Sequence, residues 1–314
     1  FMNASIQATC DLFLPIATVA EREGTVFTHY APCTVTAGFM HKAVDCGNLP
    51  SDMELAYRLG KYLHPERFSK WANEHELVEA FRLGVEDHGE TFDRVSQCVV
   101  AQVPIEYYKY EKGLMRPDGQ PGFATPTGRV ELWSTAYNQF GDDPLPYYIE
   151  PEFSPIDEHP EIKEEYPLVL TTGARVTAFF HSEGRQIPYL RELNPDPLLE
   201  INPVTAQERN IADGQWVRVW NMFGEALMKA KVTEAVDEKT VHGQHGWWFP
   251  EESGDEPNLY GTFRSQINNL CPNGHMGKLG FGAPNKCMCC NVEPIAESYD
   301  TDMNLIWEKF GKLV

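Results

Sequence analysis

The chain has 314 residues, a formal net charge of −20, a hydrophobic fraction of 42%, 24 glycines and 23 prolines. That length carries two domains with full cores, and the negative charge excludes nonspecific attachment to nucleic acid or to anionic membrane surfaces, which require a basic face. No apolar run approaches the roughly 20 residues that span a bilayer.

Phe1-Met2-Asn3 opens no export signal, and Asp11-Leu12-Phe13-Leu14-Pro15 reads as mid-domain sequence. The expectation is therefore a piece of a longer protein, cytoplasmic or, if the parent carries a twin-arginine signal, exported. Leu12 to Ala17 reads as a buried strand broken by Pro15, and Glu21-Arg22-Glu23-Gly24-Thr25 as the turn after it. Residues 51–84 read as helical: Ser51 or Asp52 is a fair N-cap, and Leu55, Leu59, Tyr62 and Leu63 recur at helix spacing. Leu77, Val78, Phe81 and Leu83 predict a second helix. Residues 104–128 are rich in Pro and Gly, and Val130-Glu131-Leu132-Trp133 reads as a short strand. The Pro- and acid-rich stretch from Pro144 to Pro167 has linker composition and takes the main boundary.

Beyond it the pattern becomes short strands between turns, the mark of a small barrel or sandwich. Leu168-Val169-Leu170 and Leu198-Leu199-Glu200-Ile201 are strands. Asn202 caps a short helix that begins at Pro203 and runs to Glu208. Trp216 to Trp220 pairs as a hairpin with Glu225 to Val232, and Val241-His242 starts a further strand that ends at His245-Gly246. Leu305, Ile306, Trp307 and Phe310 predict a C-terminal helix. Of eight cysteines, Cys287, Cys289 and Cys290 cluster, but CxCC lacks the second ligand pair of a structural metal site, so buried or loop thiols are the favoured reading.

One ordered series is specific. Pro167-Leu-Val-Leu-Thr-Thr-Gly-Ala-Arg175 precedes Phe180-His181-Ser182-Glu183-Gly184-Arg185-Gln186. Glu200-Ile201-Asn202-Pro203, then Ile211 to Val217, then His245-Gly246-Trp247-Trp248-Phe249-Pro250 follow. The series resembles the dinucleotide-binding C-terminal domain of the dimethyl sulfoxide reductase family, molybdenum or tungsten enzymes with a bis(pterin guanine dinucleotide) cofactor. Leu14-Pro15 with Glu21 to Thr25, and Phe123 to Glu131, resemble the end of that family's third domain and its linker element.

The resemblance implies a mixed α/β chain in which a double-psi β-barrel follows an incomplete α/β segment. The boundaries it gives are 1–150 for the partial α/β region, 151–165 for a linker, 166–296 for the molydopterin dinucleotide-binding barrel and 297–314 for a helical tail. It implies molybdopterin guanine dinucleotide with Mo or W in the parent enzyme and little of either in the isolated chain. The iron–sulfur and metal-ligand regions would come from the same enzyme or a split partner, with an electron-transfer subunit as a further partner. No residue here is expected to ligate metal or to be catalytic by itself. The Gly-Ala-Arg spacing and the Gly-Trp-Trp-Phe-Pro-Glu segment look nearest to the acetylene hydratase-like and catechol dehydroxylase-like branch, whose substrates are small aromatic or unsaturated compounds. The rival reading is a stand-alone double-psi barrel that binds without redox chemistry.

The candidate cofactor contacts are Thr172, Gly173, Ala174, Arg175, His181, Ser182, Arg185, Gln186, His245, Gly246, Trp247, Asn269 and Asn291. Gly173 lets the main chain approach phosphates, Arg175 can fork two oxygens, and Arg185 nearby makes a local anion site in an acidic protein. The ordinary alternatives are a turn after a strand, a loop whose arginines pair with Glu183 and Glu192, Trp248 as core, and the asparagines as turn residues.

Overall fold

A computed structural model describes residues 9–28, 34–45, 47, 49–71, 94, 97, 100–104, 106–155, 160–172, 176–274 and 286–312. The main bodies of its two units are Leu14–Thr135 and Ala136–Val314.

The first unit holds a three-stranded antiparallel sheet of β1 (Gly24–Thr28), β2 (Thr34–Met40) and β3 (Val100–Pro104), in that order. Helix α1 (Asp52–Leu63) starts where Ser51 Oγ accepts from the Glu54 amide at 3.0 Å, the N-cap that the sequence marks. It buries Tyr57 and is followed by the short α2 (Pro65–Phe68). The helix expected around Leu77 to Leu83 lies outside the described residues. Two expected strands do not form. Residues 12–18 have no regular structure, and Leu12 is 74% exposed. Pro15 removes a ladder donor, and the backbone hydrogen bonds there, from the Ala17 amide to the Pro50 carbonyl and from the Glu21 amide to the Thr18 carbonyl, build no ladder. Residues 130–133 form a bend rather than a strand, because Glu131 accepts from the Thr127 amide and hydroxyl and from the Thr135 hydroxyl. A local side-chain turn has displaced the extended backbone.

In the second unit come α3 (Thr135–Gln139, which starts at the junction), α4 (Pro160–Glu165), β4 (Leu168–Thr172), α5 (Pro188–Arg191), β5 (Leu198–Ile201) and α6 (Pro203–Glu208). They are followed by β6 (Trp216–Asn221), β7 (Gly224–Val232), β8 (Thr240–Gly243), β9 (Met288–Pro294) and α7 (Met303–Phe310). Six strands close a barrel in the order β4-β8-β5-β7-β6-β9. The pairs β4–β8 and β5–β7 are parallel, and the other four contacts are antiparallel.

Alternation builds the interior. Leu168, Leu170, Leu199, Ile201, Val217, Val219, Ala226, Met228, Val241, Met288 and Cys290 all point inward and are buried. Each large aliphatic side chain there contributes roughly 1.5–3 kcal/mol of transfer free energy. Ile267 and Leu270, from a 3₁₀ turn, join the same core. Buried Asn221 donates to the carbonyls of Leu270 (2.9 Å) and Cys289 (3.1 Å), which ties that turn to β9. α6 is capped as the sequence predicts, with Asn202 Oδ1 accepting from the Val204 amide at 2.9 Å. Phe153, in the acidic Pro-rich stretch, packs edge-on against Phe223 and accepts from the Cys289 amide through its carbonyl at 2.8 Å. Among the described residues no helix is long and apolar enough to cross a membrane.

Candidate functional site

Parallel pairing decides where the site lies. β4 and β8 run side by side with Thr172 opposite Gly243, so the loops that follow both strands leave the barrel at one edge. The loop after β4 carries His181, Ser182, Arg185 and Gln186; the segment after β8 carries His245, Gly246 and Trp247. Gly173, Ala174 and Arg175, at the start of the first loop, lie outside the described residues. Thr172 is buried, and its carbonyl accepts from Lys286 Nζ at 2.5 Å.

Phe180 and Glu183 form an isolated antiparallel bridge, which puts His181 and Ser182 at the tip of a tight turn. His181 holds a left-handed φ of 47°, a conformation uncommon for a residue with a side chain. Side-chain hydrogen bonds close this turn on itself and fix it to the second loop. Arg185 Nη1 donates to the carbonyls of His181 (2.6 Å) and Glu183 (3.3 Å), and Nη2 donates to the His245 carbonyl (3.3 Å). Trp248 Nε1 donates to the Ser182 carbonyl at 2.6 Å. Gly246, at φ 69°, brings its backbone so close to His181 and Ser182 that an added Cβ would lie 2.9–3.0 Å from their main-chain atoms. The Gly246 amide donates to Gln266 Oε1 at 3.2 Å. Across the junction, His181 Nδ1 and His245 Nε2 are 3.0 Å apart, so one of them donates a hydrogen and the other accepts it.

Beneath lies an aromatic and cationic layer. Arg185 is only 1% exposed and sits 4.3 Å from the Phe179 ring centroid and 4.7 Å from that of Trp247. Arg191, also buried, lies 5.1 Å from the same Trp247 ring. Burial, reinforced by Arg191, pulls the Arg185 guanidinium down to about 9. Arg191 has a carboxylate, Glu251, at 3.2 Å and also donates to the Pro195 carbonyl and Thr301 Oγ1. Burial raises the Glu251 carboxyl above its usual range, with Arg191 opposing.

The structure thus brings His181, Ser182, Arg185, His245, Gly246 and Trp247 into one assembly. Gln186 is buried close by in sequence. Arg185 does not pair with the Glu183 carboxylate, since its contact is with the carbonyl, and Glu192 accepts instead from Trp307 Nε1. Trp247 is fully buried, as is Trp248, so it supports the loops from below. Asn269 spends its amide on the carbonyls of Glu225 (3.0 Å) and Phe263 (2.7 Å). Asn291 donates to the Glu165 carbonyl at 2.9 Å and accepts from Arg209. Among the described residues no contact links either asparagine to the histidine pair. Sequence reasoning missed Phe179, Gln266 and the Arg191–Glu251 pair. Only Phe179, next to the recognised Phe180-His181-Ser182, left a local signal.

Residues 168–280 match the model of the molydopterin dinucleotide binding domain. A dopamine dehydroxylase from Eggerthella lenta is 38% identical over 187 residues, covering 52% of this chain and 18% of the relative. The "Probable dimethyl sulfoxide reductase chain YnfF" of Escherichia coli K12 is 25% identical over 94% of this chain and 38% of its own length. Among solved structures, acetylene hydratase from Pelobacter acetylenicus superposes with a TM-score of 0.73 at 25% identity, over 89% of this chain and 37% of that one. The chain therefore spans well under half the length of these relatives. An ordered motif series, a closed six-stranded barrel with its loops gathered at one edge, and these likenesses agree: the chain carries a molydopterin dinucleotide binding domain over residues 168–280 and is similar to the C-terminal part of enzymes of the dimethyl sulfoxide reductase family.

Proposed function

We propose that the paired loops after β4 and β8 cradle the guanine dinucleotide end of a molybdopterin cofactor in a parent enzyme of the acetylene hydratase and dehydroxylase-like branch. When bound, the cofactor supplies the Mo or W centre and its electron chemistry; the protein orients and tunes it. His181 and His245 offer ring nitrogens at the exposed rim, Ser182 adds a hydroxyl, and Gly246 brings main chain to the surface. Arg185, Trp247 and Trp248 hold the two loops in register from beneath. These residue types fit the group, because a pyrophosphate and a purine require donors, close backbone approach and planar edges. Gly173 and Arg175 retain the roles that the family resemblance implies.

In this reading residues 166–296 are the cofactor-binding barrel, 151–165 the linker and 297–314 a tail that steadies the site. The iron–sulfur and metal-ligand regions belong to the rest of the parent enzyme, and an electron-transfer subunit is its partner. Small aromatic or unsaturated substrates follow from likeness to the dehydroxylase and the hydratase.

The observation that carries the proposal is the convergence of His181 and His245, 64 residues apart in sequence, at 3.0 Å on the barrel edge. GDP, the guanine and pyrophosphate half of the dinucleotide, tests it by titration calorimetry on the full chain. Saturable binding that weakens at least several-fold in His181→Gln is expected. No saturable GDP binding would overturn the proposal.

A further inference from the structure

Both site loops are also held by a third stretch of chain, residues 299–309, which contains most of α7. Toward the first loop, the Thr301 amide donates to Asp196 Oδ1 at 2.9 Å and the Thr301 hydroxyl donates to the Pro195 carbonyl at 2.8 Å. The same hydroxyl accepts from Arg191 Nη2 at 2.8 Å. Further along, Trp307 Nε1 donates to Glu192 Oε1 at 2.7 Å, and the Trp307 ring stands edge-on to Tyr189 with centroids 4.7 Å apart. Toward the segment after β8, Lys309 Nζ donates to the Glu251 carbonyl at 2.7 Å. One short segment therefore ties together two loops that are distant in sequence.

Thr301 is the centre of this arrangement, because Arg191 carries its contact onward. Arg191 is fully buried, its Nη1 reaches the Arg185 carbonyl at 3.5 Å, and its guanidinium carbon lies 5.1 Å from the Trp247 ring centroid. A buried guanidinium keeps one geometry only while its donors are satisfied, and Thr301, Pro195 and Glu251 supply acceptors. The path from Thr301 thus runs through Arg191 to Arg185 in one loop and to Trp247 in the other. The segment itself is lightly anchored. α7 has eight residues, only Ile306 of them buried, and a helix that short is marginal alone. The hydrogen bonds of Trp307 and Lys309 lie at the surface, where water competes for them. Such a segment can undock while the barrel stays folded. Resting on the dinucleotide-binding reading, we infer that residues 299–309 are a clasp that positions both cofactor loops, with Thr301 as the positioning residue acting through Arg191, and that docking of the clasp is coupled to occupancy of the site. Linkage makes the coupling reciprocal: by whatever factor the docked clasp tightens dinucleotide binding, bound dinucleotide tightens the clasp. An empty site leaves α7 easier to lift, so occupancy is legible at a helix that neither loop contains.

Amide hydrogen exchange on the full chain, with GDP as the probe, tests the coupling. Saturating GDP should slow exchange across residues 303–310 at least threefold, a readout that needs no variant. Thr301→Val keeps the shape of the side chain and removes its hydroxyl, whereas Thr301→Ser keeps the hydroxyl. In Thr301→Val the amides of residues 180–186 and 244–247 should exchange at least fivefold faster, and GDP should bind at least fivefold more weakly. Thr301→Ser should return both to within twofold of the parent chain. Exchange in β5 to β8 should stay unchanged throughout, which separates a released clasp from a destabilised barrel. If GDP binds the parent chain but leaves residues 303–310 unprotected, the coupling is wrong and the dinucleotide reading stands. Unchanged loops and affinity in Thr301→Val, or equal effects of Val and Ser, overturn the role of Thr301 in the same way. Failure of GDP to bind the parent chain removes the two readings together.

Discussion

The backbone of the second site loop passes close to the first at Gly246, and replacing it with alanine measures how much that approach is worth. A methyl there must occupy a left-handed backbone at φ 69°, which costs about 1–2 kcal/mol. It would also meet the His181 carbonyl carbon and oxygen and the Ser182 nitrogen at 2.9–3.0 Å, all of them main-chain atoms. Ordinary contacts lie several tenths of an ångström further out, and the turn cannot yield easily because Arg185 and Trp248 hold its carbonyls. Forced overpacking of this kind costs about 1–3 kcal/mol. The sum, about 2–5 kcal/mol, should lower Tm by roughly 4–20 °C in a unit of this size. Gly214 supplies the control: its φ is 77°, yet an added Cβ would meet nothing within 4 Å. Gly214→Ala should therefore show the backbone cost alone. Thermal melts and urea titrations of both variants isolate the contact by difference, and Gly246→Ala should also weaken GDP binding. Equal destabilisation of the two variants would refute the claim that the loops are locked at Gly246.

Other perturbations test the supporting structure. Arg191→Met strands Glu251 without its cation and should cost about 3–5 kcal/mol in urea unfolding, whereas Arg191→Met with Glu251→Leu should be less damaged than the single variant; a double variant worse than the single would count against the pair. Burial lowers the pKa of His242 despite Glu200 at 3.3 Å, so the unfolded chain takes up its proton first as pH falls. That contribution to stability is complete above the ordinary histidine value of 6.5 and is lost as pH drops from there through the lowered folded value. Tm measured from pH 7.5 to 5 should fall, and His242→Gln should flatten the fall; an identical slope would remove His242 as the cause. Burial pushes the Cys289 thiol up to about 11 and the Cys290 thiol further still. Iodoacetamide at pH 8 should thus spare both in the native chain and label both after denaturation, as read by peptide mass analysis.

Much of the second unit was legible because its signals are local. Alternation from Trp216 to Trp220, the turn signal Phe223-Gly224 and the return strand define a hairpin from neighbouring residues alone, with the turn itself one residue earlier at Met222-Phe223, and Asn202-Pro203 sets a helix start through its own side chain and ring. The same logic fails at Leu12 to Ala17 and at Val130 to Trp133. An extended apolar run becomes a strand only if a partner strand supplies hydrogen bonds, and none does there among the described residues.

The site divides in the same way. The family resemblance named His181, Ser182, Arg185, His245 and Gly246 as candidate members of one cofactor-binding series; without it, a solvated polar loop was the simpler reading of residues 181–186. Only the tertiary structure decided what each does. Barrel closure sets β4 parallel to β8, and that register places two loops 60 residues apart against each other. Arg185 reads in sequence as a surface charge; enclosed between Phe179 and Trp247, it becomes the buried cation on which both loops hang. A chain can encode its turns and caps in adjacent residues, but which distant main-chain carbonyls a guanidinium reaches is fixed only once the strands between them have chosen their register.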